Sequence, residues 1–446
     1  MGVNKKARWC ASVAKLDTTA AAIAALAWRG CAARHEPLAP RYLLPEPSVT
    51  DSPARRTAGT PIRIGLLWHS ATSGNLGVGA LTIANMAIAR DVAEAAGLSP
   101  AFTVLGMRDL ARPAMLDDEV SVVAIDWRAL LSPSGFRRAI AGLDVVLDIG
   151  MGDSFADIYG AKRFLMLWLA KMHVLARGIP LILSPQTIGP FERPRHRLLA
   201  AMALRRARRV FARDQRSLEF ARGVAPDAPL ALSTDVAFEL PFTPPPPRTS
   251  DRLRIGINVS GLLFSEAESG GNRFRLSYDY ARFTRALLAD LTARGDCDVH
   301  LVPHVIEPRL ADDDSCLADR LHAEFPATIR LPDFTTPSEA KSAIATLDLL
   351  VAARMHACIG AFSAGTPVLP VAYSRKFTGL FGSLGYDRQI PVTGLDNAGA
   401  LAIALAAVEQ REQLGAEQAE AMGRVTALLA QYRAALDETL RAAART

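Results

Sequence analysis

The sequence predicts an α/β protein built from two Rossmann-like domains, each with its own parallel sheet. Three observations lead to this prediction. Short apolar runs alternate with helical patterns along most of the chain, as in βαβ units. The strand-like segment 62–68 has a counterpart at 253–259, and both carry Arg-Ile-Gly near their start. Four consecutive prolines, 244–247, lie between the two halves and predict a stiff linker.

The same alternation gives the elements of each domain. In the first domain, strands are predicted at 121–125, 144–149, 180–184 and 209–212, and helices around 79–96, 161–177 and 195–208. In the second, strands are predicted at 299–303, 329–331, 349–353 and 367–373, and helices around 279–294, 315–324 and 338–346. The tail, about 397–443, is rich in Ala, Leu, Glu and Gln and predicts helices that pack on the two domains.

These elements divide the chain into five parts. We expect a poorly ordered extension at 1–60, an N-terminal domain at 61–243 and a linker at 244–250. A C-terminal domain at 251–395 and terminal helices at 396–446 follow. The 446 residues leave room for two large domains, and 50% of them are hydrophobic, so a large core is available.

Charge and cysteine content limit the partners and the compartment. The net charge is 51 − 45 = +6, and ten arginines lie between Arg193 and Arg222. Such a segment can face nucleic acid, anionic lipid or a phosphorylated substrate, but a solvated helix face is the commoner explanation. We predict no nucleic-acid partner. Five cysteines without a CxxC pair fit a reducing cytoplasm, and no apolar run reaches the roughly 18 residues of a membrane span.

The most informative stretch is Arg354-Met355-His356-Ala357, which follows the apolar run 347–353 and opens a helix. Anions gather at this point of α/β folds, because the N–H groups at a helix N-terminus are unsatisfied. An arginine can bind a carboxylate or phosphate with two hydrogen bonds, and a histidine can transfer a proton near neutral pH. The alternative is an arginine that caps strand carbonyls beside a packed histidine.

Further polar residues stand at other predicted strand ends. The glycine-rich loop 70–81, with Asn75 and Gly77, lets backbone approach an anion or a sugar, although it is neither a dinucleotide fingerprint nor a P-loop. The turn 148–160 offers one carboxylate and one hydroxyl, whose alternative role is to cap a helix. The remaining candidates at strand ends are Gly152, Asp153, Ser154, Gln186, Arg213 and His304.

Taken in order, these turns resemble a known family. The series NLGVGAL, GMGDSFADIYG, SPQTIGPF, ARDQRS, STD, VPH, ARMHA and VAYSRKFTGL is similar to the polysaccharide pyruvyl transferase family, over about 63–385. Val78 stands where that family usually has an aspartate. The resemblance implies two Rossmann-like domains facing each other across a cleft, as in two-domain glycosyltransferases. It also implies phosphoenolpyruvate as donor and a saccharide as acceptor.

The resemblance implies roles for individual residues. Arg213, Arg354 and His356 take the positions of the family's donor-binding arginines and histidine, and Met355 lies between the last two. Phosphoenolpyruvate carries two anionic groups and needs at least two cationic partners. We expect His356 to be the general acid and Asp153 or His304 the base. Lys376 would neutralise the departing phosphate or be a surface lysine. The predicted acceptor-binding residues are Asn75, Gly77, Gly152, Ser154 and Gln186.

The predicted activity is therefore ketal formation from phosphoenolpyruvate, without a metal or another cofactor, during surface or exopolysaccharide synthesis. Two alternatives remain open at this point. One is a nucleotide-sugar glycosyltransferase of the same architecture, and the other is a non-catalytic glycan-binding protein. We expect a cytoplasmic protein at the inner face of the membrane, with peripheral membrane association if its acceptor is lipid-linked. The sequence does not indicate an oligomeric state.

Overall fold

The computed structural model describes residues 61–445, except 71, 108–115, 117–119, 133–134, 249 and 308–311. The predicted extension at 1–60, with Cys10 and Cys31, lies outside the described residues. Within them, two parallel sheets alternate with helices, which confirms the predicted fold class.

The N-terminal sheet has seven parallel strands in the order β3-β2-β1-β4-β5-β6-β7. Its strands are β1 (Ile62–Leu67), β2 (Pro100–Gly106), β3 (Ser121–Ala124), β4 (Val145–Asp148), β5 (Leu181–Gln186), β6 (Arg209–Ala212) and β7 (Leu230–Leu232). Its helices are α1 (Leu76–Ala95), α2 (Trp127–Leu131), α3 (Gly135–Ala139), α4 (Ala161–Ala176), α5 (Pro194–Arg206) and α6 (Gln215–Val224). A short 3-10 helix, Val236–Glu239, follows β7.

The C-terminal sheet has five parallel strands in the order β10-β9-β8-β11-β12. Its strands are β8 (Leu253–Asn258), β9 (Cys297–Leu301), β10 (Ile329–Arg330), β11 (Leu349–Ala352) and β12 (Val368–Pro370). Its helices are α7 (Gly261–Glu268), α8 (Tyr280–Ala293), α9 (Asp314–Glu324), α10 (Pro337–Ile344), α11 (Met355–Ala364) and α12 (Arg375–Ser383). Two further helices, α13 (Asn397–Glu409) and α14 (Arg411–Ala444), complete the described chain.

Both sheets reverse the direction of their connections at one place. This switch point lies between β1 and β4 in the first sheet and between β8 and β11 in the second. Central strands such as β4 and β11 are buried along their whole length, as expected for a sheet covered by helices on both faces. In open α/β sheets, ligands bind outside the carboxyl ends of the strands at such switch points. The topology therefore directs attention to the loops that follow β1, β4, β8 and β11.

Backbone hydrogen bonds join the loop after β1 to the segment after β9 and so connect the two domains. Asn75, before α1, forms an antiparallel bridge with Val305, beyond β9. The Leu76 N–H donates to the His304 carbonyl at 3.3 Å, and the Ile306 N–H donates to the Gly74 carbonyl at 2.9 Å. The glycine-rich loop of the first domain is thus held against the second domain.

Helix α14 connects the two domains a second time, as predicted for the helical tail. Near its start, the Gln418 amide donates to carbonyl oxygens at the end of α11. Further along, the Tyr432 hydroxyl donates to Asn85 at 2.7 Å and lies 2.8 Å from the Ser184 hydroxyl, inside the N-terminal domain. Asn85 in turn lies 3.0 Å from Nε2 of His69. A buried polar network therefore ties the end of the chain to the first sheet.

The N-terminal helix α1 is the one described helix that is long and apolar enough to cross a membrane. It is 72% buried over its most apolar 18 residues, and it packs in the same hydrophobic cluster as β1 and α14. Burial of this kind is typical of a core helix in an α/β domain.

Candidate functional site

A tight turn after β4 carries Asp153 to the carboxyl edge of the first sheet. Gly150, Met151 and Gly152 have φ values of +55°, +53° and +83°, and a Cβ on Gly150 would collide with the side chain of a neighbouring strand. The turn is anchored by Asp148, which accepts a hydrogen bond from the Gly150 N–H at 2.8 Å. Lys171 lies 2.9 Å from the same carboxylate, and both side chains are fully buried.

Asp153 projects from this turn toward the second domain. It forms an ion pair with Lys376 at the start of α12 and accepts a hydrogen bond from the Tyr159 hydroxyl at 2.7 Å. Burial acts to raise the pKa of Asp153, but Lys376, Arg213 and Tyr159 outweigh it, so the pKa lies below its ordinary value. Asp153 caps no helix, since α4 begins only at Ala161. The alternative role considered for this carboxylate does not apply.

Arg213 follows β6 and is 4% exposed. Its Nε donates to the Thr187 hydroxyl at 2.9 Å, and its Nη1 donates to Oδ2 of Asp235 at 2.8 Å. Asp235 is fully buried at the start of the 3-10 helix, where its other oxygen accepts from the Ala237 N–H. Arg213 is therefore held in one position by two neighbouring loops of its own domain.

The carboxylate of Asp235 also faces His356 of the second domain. Nε2 of His356 lies 3.9 Å from Oδ2 of Asp235 and makes no hydrogen bond within the described part of the chain. His356 is the second residue of α11, so it is fixed by the helix that opens at the β11 switch point. Oδ2 of Asp235 therefore accepts a hydrogen bond from Arg213 of the first domain and faces His356 of the second domain.

The imidazole of His356 is also confined at Nδ1, the ring nitrogen that does not face Asp235. A Cβ on Gly77 would collide with Nδ1 of His356, so glycine at this position allows the loop after β1 to touch the ring. Burial lowers the pKa of His356 to about 4, since Asp235 only partly offsets the loss of solvation. The ring is therefore neutral at pH 7 in the unliganded protein.

Gly77→Ala should displace this imidazole. We expect turnover to fall at least about tenfold, because a misplaced catalytic group loses much of its effect, with little change in melting temperature. Gly223→Ala is the matched control, since nothing lies within 4 Å of a Cβ at that position. Normal turnover in the Gly77 variant would show that the contact with His356 is unimportant for activity.

His304 and Arg354 form a second group behind His356. His304 is 4% exposed, and burial followed by the nearby charges of His356 and Arg354 lowers its pKa to about 3. Arg354 is 7% exposed, and its Nε and Nη2 donate to Asp314 at 2.5–3.2 Å. Nη2 also donates to the side chain and the backbone carbonyl of Asp312, each at 2.7 Å. Two of the three guanidinium nitrogens are thus occupied.

This arrangement differs from the free cationic partner that the sequence suggested for Arg354. A donor carboxylate would have to use Nη1 or displace Asp312. The buried pair with Asp314 indicates that Arg354 holds the 312–314 segment against the start of α11. The alternative of a carbonyl-capping arginine describes one of these contacts, the bond to the Asp312 carbonyl, but the other partners are carboxylates.

Arg354→Ala is therefore expected to destabilise the protein by roughly 3–5 kcal/mol, because it leaves the fully buried Asp314 without its partner. Arg354→Lys should fall between wild type and alanine, since lysine cannot bind both carboxylates with a planar fork. Urea unfolding measures both, with Arg441→Ala as the surface control. An alanine variant of normal stability that binds phosphoenolpyruvate poorly would instead make Arg354 a donor-binding residue.

Burial lowers the pKa values of five described histidines, most strongly those of His69, His304 and His356, and this makes the stability pH-dependent. Burial lowers the pKa of His69 to about 3, as it does for His304. An unfolded histidine protonates near 6.5, whereas these remain neutral in the folded state, so the unfolded state binds more protons as pH falls. Stability should be full above pH 6.5 and decrease below it by about 1.4 kcal/mol per pH unit for each histidine.

Urea unfolding between pH 7 and 5 measures this slope. His69→Gln, outside the candidate site, should make it shallower by the share of one histidine. An unchanged slope in that variant would show that His69 is protonated in the folded protein.

The predicted acceptor-binding residues differ in how exposed they are and in what they contact. Ser154 and Gln186 are 1% and 0% exposed. The Gln186 amide donates to the Asp148 carbonyl at 2.6 Å, so this side chain supports the β4 turn rather than reaching a ligand. Asn75 is partly exposed, and its carbonyl oxygen accepts from the Gly77 N–H as the N-cap of α1. Gly152 is packed near Arg213.

An open pocket of about 220 Å³ lies next to the residues that bind Arg213 and Asp153. Thr187, which binds Arg213, and Lys376, which binds Asp153, both line it, together with Arg216. Met355 is only partly buried at the first turn of α11, where the side chain of Arg354 makes no cap. Among the described residues, no group of three or more His, Cys, Asp or Glu side chains is arranged to hold a metal ion.

The site therefore combines four predicted residues with one that the sequence reasoning did not select. Asp153, Arg213, His356 and Lys376 come together, and Asp235 lies between two of them. Asp235 was visible only as the last residue of the STD motif at 233–235. We refer to these five residues as the cleft cluster.

Comparison with known proteins identifies the family. The model of the polysaccharide pyruvyl transferases matches residues 94–375, well over half of the chain and including every member of the cleft cluster except Lys376. The chain belongs to the polysaccharide pyruvyl transferase family. The match is narrower than the 63–385 expected from the motifs, since the glycine-rich loop lies before it. A search among curated proteins gave no significant match.

Solved structures agree with this member of the polysaccharide pyruvyl transferase family having two Rossmann-like domains. A protein described as a UDP-N-acetylglucosamine 2-epimerase from Listeria monocytogenes is 13% identical, with a TM-score of 0.51, and the match covers 81% of this chain and 91% of that one. The S. aureus MnaA–UDP structure is 11% identical, with a TM-score of 0.50, over 80% of this chain and 91% of that one. At these identities the likeness shows the fold alone.

Proposed function

We propose that this protein transfers a pyruvyl group from phosphoenolpyruvate to two hydroxyls of a saccharide and so forms a pyruvyl ketal. The observation that carries the proposal is the cleft cluster. It combines two cations, two carboxylates and a neutral histidine at the carboxyl ends of strands from both domains. Family membership supports the reaction class, and the cluster supports a donor with two anionic groups.

The anionic groups of the donor have suitable partners here. Lys376 and Arg216 line the pocket, and Arg213 lies just behind it through Thr187. The first N–H groups of α11, from Met355 and His356, add a helix N-terminus without a side-chain cap. We assign the donor phosphate to Lys376 and the helix N-terminus, and the carboxylate to Arg216 together with Nη2 of Arg213, the guanidinium nitrogen that Thr187 and Asp235 leave over.

His356 is proposed as the acid that protonates C3 of the donor. Its low pKa in the unliganded protein means that it must gain a proton when the donor binds. The two negative groups of phosphoenolpyruvate raise its pKa, as nearby anions do. Once protonated in a buried site, the imidazolium delivers its proton as the first hydroxyl attacks C2.

Asp153 is proposed as the base for the hydroxyl protons. While paired with Lys376 it is a weak base, since its pKa is lowered. A phosphate that attracts Lys376 releases the carboxylate and makes it more basic. In the net reaction two C–O bonds form at C2 and the bond to phosphate breaks. One proton remains on C3, which becomes a methyl group, and the other leaves with phosphate.

The proposal needs neither a metal nor another cofactor, and its acceptor is a sugar carried on a lipid, a nucleotide or a polymer. The test is to incubate the protein with phosphoenolpyruvate in chelator, adding lipid-linked and nucleotide-linked sugars one at a time. Release of phosphate that depends on one acceptor is expected. Activity only after magnesium is restored contradicts the metal-free claim. Sugar transfer from a nucleotide sugar, without use of phosphoenolpyruvate, would establish the glycosyltransferase alternative.

A further inference from the structure

Three of the seven exposed large apolar side chains among the described residues lie in the loop before α4 or on α5. Among the described residues, Leu198 on α5 is the most exposed large apolar side chain, at 63%. Ile158 and Tyr159, in the loop before α4, are 53% and 42% exposed. Exposed apolar side chains mark interaction surfaces when they form one patch.

Asp157 joins the loop before α4 to the start of α5. Its carboxylate accepts hydrogen bonds from the backbone N–H groups of Glu192 and Arg193 at 2.9–3.1 Å, and it lies 3.0 Å from Nδ1 of His196. Ile158 and Tyr159 therefore lie beside the N-terminal turn of α5. On that helix, Leu198 shares a face with Arg195, three residues earlier.

The arginines around this patch have no acidic partner. Arg193, Arg195 and Arg197 are exposed, and no ion pair is formed by them within the described ranges. Arginines at the far end of the same segment differ, since Arg205 pairs with Asp227, and Arg208 and Arg209 pair with Glu438. Three exposed arginines without an ion pair thus lie within five residues of one another, beside Leu198.

This patch continues into the candidate site. The Tyr159 hydroxyl donates to Asp153, and Arg163 lies 5.1 Å over the Tyr159 ring. The Asp157 N–H donates to the Pro190 carbonyl, and Pro190 lines the pocket beside Lys376. The loop that carries Ile158 and Tyr159 therefore connects the patch directly to Asp153, the proposed base.

We propose that this surface docks the protein on an anionic lipid bilayer. We call it the docking surface, and it comprises Ile158, Tyr159, Arg193, Arg195, Arg197 and Leu198. Basic side chains around a few exposed apolar ones suit an interface with anionic headgroups, where the apolar groups enter the acyl boundary. The role that we give to this surface, to present a lipid-linked acceptor to Asp153, rests on the proposed function. The docking itself does not rest on it.

Vesicle sedimentation tests the docking with the full chain. We expect binding to vesicles that contain phosphatidylglycerol, weaker binding at high salt, and little binding to pure phosphatidylcholine. The triple variant R193E/R195E/R197E should bind at least about tenfold more weakly. Leu198→Ser should weaken binding several-fold, because it removes one inserted group.

The matched control is R275E/R282E/R445E, three exposed arginines elsewhere with the same change in charge. It should bind as wild type does, because its arginines lie outside the docking surface. Equal loss in both triples, or full binding by the first, overturns the docking surface. Melting temperatures confirm that each variant is folded.

Phosphate release with a water-soluble acceptor separates this idea from the proposed function. The first triple variant should keep that activity and lose activity on an acceptor embedded in vesicles. If no acceptor supports activity in any variant while the vesicle results hold, the proposed function fails and the docking surface stands.

Discussion

Replacing His356 by glutamine is expected to lower turnover with phosphoenolpyruvate by about 10²–10⁴-fold, the usual contribution of a general acid. Glutamine keeps a hydrogen-bond donor near Asp235 but delivers no proton. Donor affinity should remain within several-fold of wild type, since Arg213 and Lys376 are unchanged. The same reasoning predicts that donor binding at pH 7 takes up about one proton in the wild type and none in the variant.

Calorimetry in buffers of different ionisation enthalpy measures the proton uptake, and rapid mixing measures turnover. His322→Gln is the matched control, since His322 is exposed on α9, outside the cleft cluster, and its Nδ1 lies 3.1 Å from the Thr328 hydroxyl. A variant that folds but binds no donor makes His356 a binding residue. Normal turnover transfers the acid role to another residue, with His304 the nearest candidate.

Asp235→Asn is expected to affect stability and activity together. Arg213 is 4% exposed and would lose its buried carboxylate, which typically costs about 3–5 kcal/mol. Turnover per folded molecule should fall about 10–100-fold, as when a residue that orients a functional side chain is removed. The pKa of His356 should fall further, because Asp235 is the main group that raises it.

A double-mutant cycle tests the pairing directly. Adding Arg213→Gln to Asp235→Asn should cost less than the sum of the single changes, since neither leaves an unpaired charge once both are gone. Asp227→Asn is the matched control, because its pair with Arg205 is exposed and worth less than about 1 kcal/mol. Strictly additive costs would mean that Arg213 and Asp235 do not support each other. If the pKa of His356, measured by NMR titration, is the same in the Asp235→Asn variant as in wild type, Asp235 does not influence that histidine.

Much of the fold could be predicted, because buried parallel strands give apolar runs. The prediction missed β2, β7 and the helices α2, α3, α6, α7 and α12, and β2 and α6 show why. In β2 (Pro100–Gly106), proline and threonine interrupt the run. Helix α6 (Gln215–Val224) buries only Ser217, Leu218 and Ala221, so few apolar side chains mark it in the sequence.

The site was predicted in part, for a related reason. Strand ends in a parallel sheet meet at one edge, which is enough to bring Asp153 and Arg213 together, whereas His356 comes from the second sheet and meets them across the cleft that the family resemblance implied. The direction of a side chain within a turn cannot be read in this way, and Ser154 and Gln186 point inward. The partners of Arg354, Asp312 and Asp314, lie about forty residues earlier, so the pattern around Arg354 gave no sign of them.

Asp235 was missed because it follows β7 (Leu230–Leu232), a three-residue strand with no clear apolar run of its own. Its role depends on two residues that are distant in sequence, Arg213 and His356. Only the motif order of the family pointed to this segment.

The most direct test of the account follows the carbon that should become the ketal centre. Phosphoenolpyruvate labelled with ¹³C at C2 is incubated with the protein and the acceptor that supports phosphate release, and the purified product is examined by NMR. We predict that the label appears as a quaternary carbon bonded to two oxygens of one saccharide, in equal amount to the phosphate released. Label recovered as free pyruvate, with an unmodified acceptor, would contradict pyruvyl transfer.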